Sequence, residues 1–231
     1  MKRLTASWGL AFSLSLGAAA AGEPARYQIV ARSEDGPGIT VEVPYTFGTH
    51  RVSATQIEDE IQLERATLEV RAGRFRLRID ALKSDDPKRD CHMREALGLN
   101  YANSRFPKDH VCNDQNQLPT QGSDAVAFPT IEFLATGSKA LDDPRQLEQG
   151  KEVRVQVNGK WTIHGVTRPA RLQLTVSVDP KEPTSLRLRG RESFVLEDYG
   201  IVVKSANLFI TSSVVRGGAT AIFDLRLKPS P

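Results

Sequence analysis

The residues best able to do chemistry crowd into one stretch: Cys91, His92, His110 and Cys112 are both cysteines and two of the four histidines of the chain. Two Cys and two His form a set that binds zinc. The spacing argues against it, because adjacent residues on a helix point about 100° apart and zinc sites separate the members of each pair by two or more residues. Two cysteines in an oxidising compartment pair instead. A Cys91–Cys112 bond would close a loop of about 20 residues and restrict the unfolded chain by about 3 kcal/mol. The disulfide is the favoured reading, and a redox or metal protein using Cys91, His92, His110 and Cys112 is the alternative. Asp90 and His92 suggest an acid–base pair acting on a lipid-like substrate, yet positions i and i+2 on a helix do not face each other. Nucleophile-elbow, zincin, phosphate-loop, dinucleotide and haem-attachment patterns do not occur. No catalytic residue, metal ligand or cofactor motif is assigned, and an enzyme is disfavoured.

The compartment is legible at the N-terminus. Lys2 and Arg3 precede an uncharged Ala-, Leu- and Ser-rich stretch, Leu4 to Ala21, that ends in four alanines before Gly22-Glu23-Pro24. A basic start, an apolar run and a small-residue cleavage site make a secretory signal peptide over residues 1–21. Four hydroxyl residues within the run weaken a membrane anchor. Removing Lys2 and Arg3 takes the net charge from +3 to +1, and with it goes the case for a nucleic-acid partner. The expected product is a periplasmic or secreted protein with one domain over residues 22–231.

That domain must be built mostly from strands. With 39% hydrophobic, 6% aromatic and 26% charged residues, the chain is neither disordered nor collagen-like, and Val, Leu and Ile make its core. Apolar residues alternate with polar ones through Val41, Val43, Tyr45 and Phe47; Phe75, Leu77 and Ile79; Val153, Val155 and Val157; Leu172, Leu174, Val176 and Val178; Leu186 and Leu188; and Ala221, Phe223, Leu225 and Leu227. Weaker segments lie near 50–57, 61–71, 131–136 and 192–203, for about eight to ten strands. Turns at Ala72-Gly73 and His164-Gly165 predict antiparallel hairpins. One-sided strands must close into a barrel or stack as a sandwich, and composition leaves both open. The row Arg74, Arg76 and Arg78 reads as a solvated exterior, with transient contact to an anionic membrane surface as its functional alternative.

The strands are interrupted between about residues 84 and 128. Asp86-Pro87 starts, and Gly98 stops, one short helix over Pro87 to Leu97. Residues 99–127 then form a loop far longer than a connection needs. It reads as a cap tethered by Cys91–Cys112, with Leu99, Tyr101, Phe106 and Val111 able to turn inward.

Arg89-Asp90-Cys91-His92-Met93 resembles the Arg-Asp-x-His-Leu/Met signature of the YceI-like family, exported lipocalin-like barrels associated with polyisoprenoid and other long-chain lipids. Three further blocks follow in the family's order. Phe128-Pro129-Thr130-Ile131-Glu132-Phe133 is similar to its Tyr-Pro-x-Ile-x-Phe strand entry. Gly159 to Pro169, through Ile163-His164-Gly165-Val166, resembles its Thr-Ile-His-Gly-Val-Thr hairpin, with Trp161 where Leu is common. Asp198-Tyr199-Gly200-Ile201 resembles its late Asp-Phe-Gly-Ile turn. The resemblance implies an all-β fold, an antiparallel lipocalin-like barrel of about eight strands; the one short helix and the long capping loop come from the residues themselves, and the loop departs from the family's short passage between the first two blocks. It also implies a non-enzymatic protein that binds, carries or sequesters an isoprenoid, quinone or related amphiphile, with that lipid as its partner and no other cofactor. Monomer and homodimer both stay open.

The expected ligand-binding residues are the inward apolar positions Val43, Tyr45, Phe47, Phe75, Leu77, Ile79, Phe133, Val155, Trp161, Leu174, Val176, Phe223 and Leu225. The family-motif residues are Arg89, Asp90, His92, Met93, His164, Gly165, Asp198 and Gly200. His164 reads as a turn residue with a satisfied imidazole rather than a ligand, and Arg89 or His92 as ties between helix and barrel rim.

Overall fold

The computed structural model describes residues 24–30, 38–45, 48–54, 56–84, 93, 97, 128–201, 207–208, 211–212 and 218–230. Half-burial dictates its strands. In β8 (Val153–Ile163) every odd residue is buried and every even one is exposed or half-buried, the mark of a sheet with one dry face. β13 (Gly218–Pro229) alternates in the same way, and β9 (Val166–Asp179) and β10 (Glu182–Val195) do so over most of their length, interrupted at Asp179 and at the buried pair Ser185 and Leu186.

Antiparallel pairing closes these strands into a barrel of eight wall positions. Five are single strands: β7 (Thr130–Ala140), β8, β9, β10 and β13. The other three are each made by two shorter strands in line. β1 (Ala25–Val30) pairs with the Arg226–Pro229 end of β13, and β2 (Ile39–Tyr45) with its Thr220–Phe223 end. β3 (Gly48–Ala54) lies beside β2, and β4 (Ile57–Glu64) beside β1. β5 (Glu69–Arg78) pairs with β4, then passes through a 3-10 turn, Ile79–Ala81, into β6 (Leu82–Lys83), which pairs with β3. The β1–β13 and β5–β7 ladders complete the ring. A small hairpin, β11 (Asn207–Leu208) with β12 (Thr211–Ser212), precedes β13. The barrel, and not the sandwich, is therefore the architecture. Met93 and Leu97, the described positions of the expected helix, are helical and pack on the core.

One expected hairpin is corrected. Ala72-Gly73 is no turn but lies inside β5, and the chain reverses earlier, at residues 65–68, where Leu68 adopts φ 58°. What looked like a turn signal is a wall position beside a bulge, where the β4–β5 register shifts between Gln62 and Leu63. The His164-Gly165 turn is present, with φ 52° and 74° at its two residues, the left-handed pair that suits the twist of a two-residue hairpin. β1, with buried Tyr27 and Ile29, was not anticipated.

Between β7 and β8, Arg154 donates to Asp142 from its backbone N–H at 2.9 Å and from its guanidinium at 2.7 and 3.0 Å. These bonds hold the Asp142 carboxyl at about 2, below its ordinary 3.8. The contribution of the pair to stability is thus complete above the ordinary value and disappears as pH falls toward 2. Carboxyl NMR titration should place Asp142 near 2 in the native protein, and Arg154→Gln should return it toward 3.8. An unchanged midpoint in the variant would show that the guanidinium is not responsible.

Candidate functional site

The inward faces meet in two zones. Across the middle of the barrel runs an aromatic belt in which the Trp161 ring lies 4.8 Å from Phe133, 5.3 Å from Phe75, 5.4 Å from Phe194 and 6.3 Å from Phe223. The edge-on and tilted contacts, and the stacked one with Phe223, suit the ring quadrupoles. Because these rings come from β5, β7, β8, β10 and β13, the belt spans the lumen.

On one side of the belt lies a cavity of about 90 Å³. Its lining is apolar apart from Arg74. Phe75, Phe133 and Phe223 belong to both belt and cavity wall, so the belt is the cavity's floor. At the opposite end Leu68, 1% exposed, comes from the 65–68 turn. Arg65 fastens that turn to the start of β10, donating to the Pro183 carbonyl at 2.8 Å and to the Thr184 carbonyl at 2.9 Å. A dry, apolar-walled space results, of the kind in which apolar ligands are buried.

Of the expected ligand-binding residues, Phe75, Phe133, Val155, Leu174, Val176, Phe223 and Leu225 line the cavity. Leu77, Ile79 and Trp161 are buried but do not reach its wall, Trp161 being part of the belt. Val43 is half-buried on β2; Phe47 and the Tyr45 side chain lie outside the described residues. The wall also includes Ile29, Ile61, Leu63, Leu68, Val70, Ala135, Val157, Leu172, Leu188 and Leu227. Val157, Leu172, Leu188 and Leu227 share the parity of the chosen positions and were within reach of that signal. Leu68, in a turn, was not.

Arg89, Asp90, Cys91, His92, His110 and Cys112 lie outside the described residues, as does the 99–127 loop. The remaining motif residues build a rim clasp. The His164 Nδ1 is 3.1 Å from the Tyr199 carbonyl oxygen, and its ring packs on Phe128 at 4.7 Å. Arg168 Nε donates to the Asp198 carbonyl at 2.7 Å. Gly200, at φ 68°, ends the 3-10 turn Leu196–Tyr199. Gly165 is obligatory for a second reason, since a Cβ there would stand 2.5 Å from the Phe128 ring. The motif thus joins the β8–β9 hairpin to the segment after β10.

Charge is arranged on the outside. Arg74 reaches Glu60 at 3.5 Å and Arg76 pairs with Glu132, so the arginine row is matched by acids of the flanking strands. Two carboxyls turn the other way: Asp59 and Glu192 sit at inward positions of β4 and β10, and burial raises the pKa of each. Neither was singled out from the sequence. Among the described residues no group of His, Cys, Asp and Glu could hold a metal ion.

A sequence profile described as the YceI-like domain matches residues 35–216. No curated protein matches the chain by sequence. Among solved structures, a polyisoprenoid-binding domain from Saccharophagus degradans, implicated in plant cell wall breakdown, superposes with a TM-score of 0.56 at 13% identity, covering 88% of this chain and 98% of that one. BcnA from Burkholderia cenocepacia gives 0.51 at 12% identity, with 81% and 95% covered. The YceI protein of Campylobacter jejuni gives 0.51 at 10% identity, with 78% and 85% covered. At these identities the likeness carries the fold.

Proposed function

The chain belongs to the family of YceI-like domains, and on that premise we propose that it binds a long-chain isoprenoid, quinone or related amphiphilic lipid inside the barrel and carries or sequesters it without catalysis. The apolar cavity between the aromatic belt and Leu68 is the observation that supports this most. Each methylene moved from water into such a wall contributes about 0.8 kcal/mol. About ten of them amount to ~8 kcal/mol of transfer free energy, from which the cost of ordering the ligand is subtracted, with no specific polar contact required. The polyisoprenoid-binding domain that shares the fold points to the same ligand class.

The proposal extends to the whole chain. Residues 1–21 direct export and are removed, residues 22–231 act as one domain in the periplasm or outside the cell, Cys91 pairs with Cys112, and residues 99–127 cover one end of the barrel. Transient contact with a membrane surface would let lipid enter and leave. No nucleic acid takes part.

Native mass spectrometry of protein purified from the exported fraction should show a co-purified lipid. After delipidation, a quinone at about 100 times its Kd should stabilise the fold by about 2.7 kcal/mol, which raises Tm by ~5–10 °C in a chain of this size. Absence of lipid, together with no response to quinone, prenol or fatty amide, would refute the reading.

A further inference from the structure

A ligand has few ways into the cavity. At its level the wall is an unbroken ring of antiparallel ladders, running from β1 through β4, β5, β7, β8, β9, β10 and β13 back to β1, and the aromatic belt is its floor. Parting a ladder would strip backbone groups of their partners. The end opposite the belt is held by fewer bonds. Every wall residue stands on a strand except Leu68, which the 65–68 turn between β4 and β5 places at that end. The β7–β8 and β9–β10 connections contribute nothing to the wall.

The turn has the build of a strap held shut. Arg65-Ala66-Thr67-Leu68 contains no glycine or asparagine, although Leu68 stands at φ 58°, in the left-handed region where turns ordinarily use those residues. Among the described residues only His164 shares this condition without being glycine. A leucine persists there because its surroundings hold it, and its side chain is buried in the cavity wall. Two fastenings do the holding. On β7, Ser138 Oγ donates to the Leu68 carbonyl and accepts from the Val70 N–H, each at 2.7 Å. On β10, the Pro183 and Thr184 carbonyls accept from the Arg65 guanidinium. The Arg65 bonds are exposed, so water can replace them at small net cost.

Resting on the lipid-binding reading, we propose that the 65–68 turn is the gate of the cavity, with Leu68 as its stopper and Arg65 as its latch. When Arg65 releases β10, the turn swings outward and takes the Leu68 side chain with it. The latch bonds are the same over an empty and a filled cavity, because neither Arg65 nor its two acceptors line the wall. The latch therefore sets the rates of entry and exit and leaves the affinity alone.

Stopped-flow fluorescence of retinol, an isoprenoid alcohol that brightens in apolar surroundings, reads both rates on the full chain. Arg65→Ala should raise the association and dissociation rate constants together by about tenfold, the scale of one net hydrogen bond, with Kd within about twofold of native. Arg145→Ala removes an exposed guanidinium from the β7–β8 connection, where its partner is Asp143, and should change neither rate. Native-state hydrogen exchange follows the opening without any ligand. The Val70 N–H, bonded to Ser138, should exchange about tenfold faster in Arg65→Ala, while Val155 and Val157 of β8 keep their native rates. Unaltered rate constants, unaltered Val70 exchange, or a dissociation rate that rises alone with loss of affinity overturns the gate and leaves lipid binding standing. If the native protein fails to bind retinol while Val70 responds, the lipid reading is overturned and the opening of the turn is upheld.

Discussion

Ala135→Phe should cost about 100-fold in lipid affinity while the barrel stays folded. Ala135 is an inward residue of β7 at the cavity wall, next to Phe133 along the strand and opposite Gly159 in the ladder. A phenyl ring placed there occupies the space of about four methylenes of a bound chain, and at ~0.8 kcal/mol each the loss is about 3 kcal/mol, or ~100-fold. The ring enters space already bounded by apolar side chains, so unfolding is not the expected consequence; filling a dry cavity adds contacts that its lining lacks. The matched control is the adjacent residue. Leu134 points outward and is 44% exposed, and Leu134→Phe, the same kind of change on the opposite face, should leave affinity and Tm as they are. Titration of both variants with one quinone decides the matter. If Ala135→Phe binds like the native protein, the ligand lies elsewhere and the cavity is only a packing defect.

The difference between those two neighbours is a matter of parity, and parity explains how far the sequence could be read. Val153 to Ile163 alternates without interruption, so the wall residues of β8 follow from counting by twos. Counting fails at a bulge. Between Gln62 and Leu63 on one strand and Val70 and Ala72 on the other, Arg71 is an extra residue, and the inward set passes from Val70 to Gly73 and Phe75. A second shift between Ala135 and Gly137 does the same to β7. A glycine stands beside each shift, Gly73 and Gly137, the usual sign of a bulge, but residue type alone does not say which neighbour is the extra one. Asp59 shows the opposite failure: within Ile57-Glu58-Asp59-Glu60-Ile61 it passes for one of three solvated acids, although the parity of Ile57 and Ile61 already assigned it to the interior. The division between cavity wall and aromatic floor was out of reach altogether. Phe75 and Trp161 have the same pattern along their strands, and only the pairing of β5 with β7 and of β7 with β8 brings their rings together.

That floor carries the second large effect. Trp161 is 2% exposed and touches four other rings. Truncating a buried Trp to Ala costs about 3–5 kcal/mol from lost transfer energy and the hole left behind, a large part of the ~5–15 kcal/mol that holds a domain together. With a urea slope of about 2 kcal/mol per molar, the unfolding midpoint of Trp161→Ala should fall by ~2 M. Trp161→Phe, which keeps a ring against Phe75 and Phe133, should lose much less. Function should move the other way from stability. Removing the indole opens the floor between Phe133 and Phe223 and lengthens the space available to a chain, so Trp161→Ala, examined below its unfolding midpoint, should accept longer acyl or prenyl tails than the native barrel. Binding of an alcohol series of increasing length, measured on native protein and variant, separates the possibilities. A loss below ~1 kcal/mol with no change in the preferred length would mean that the ring is dispensable and that the end of the cavity is set by some other part of the barrel.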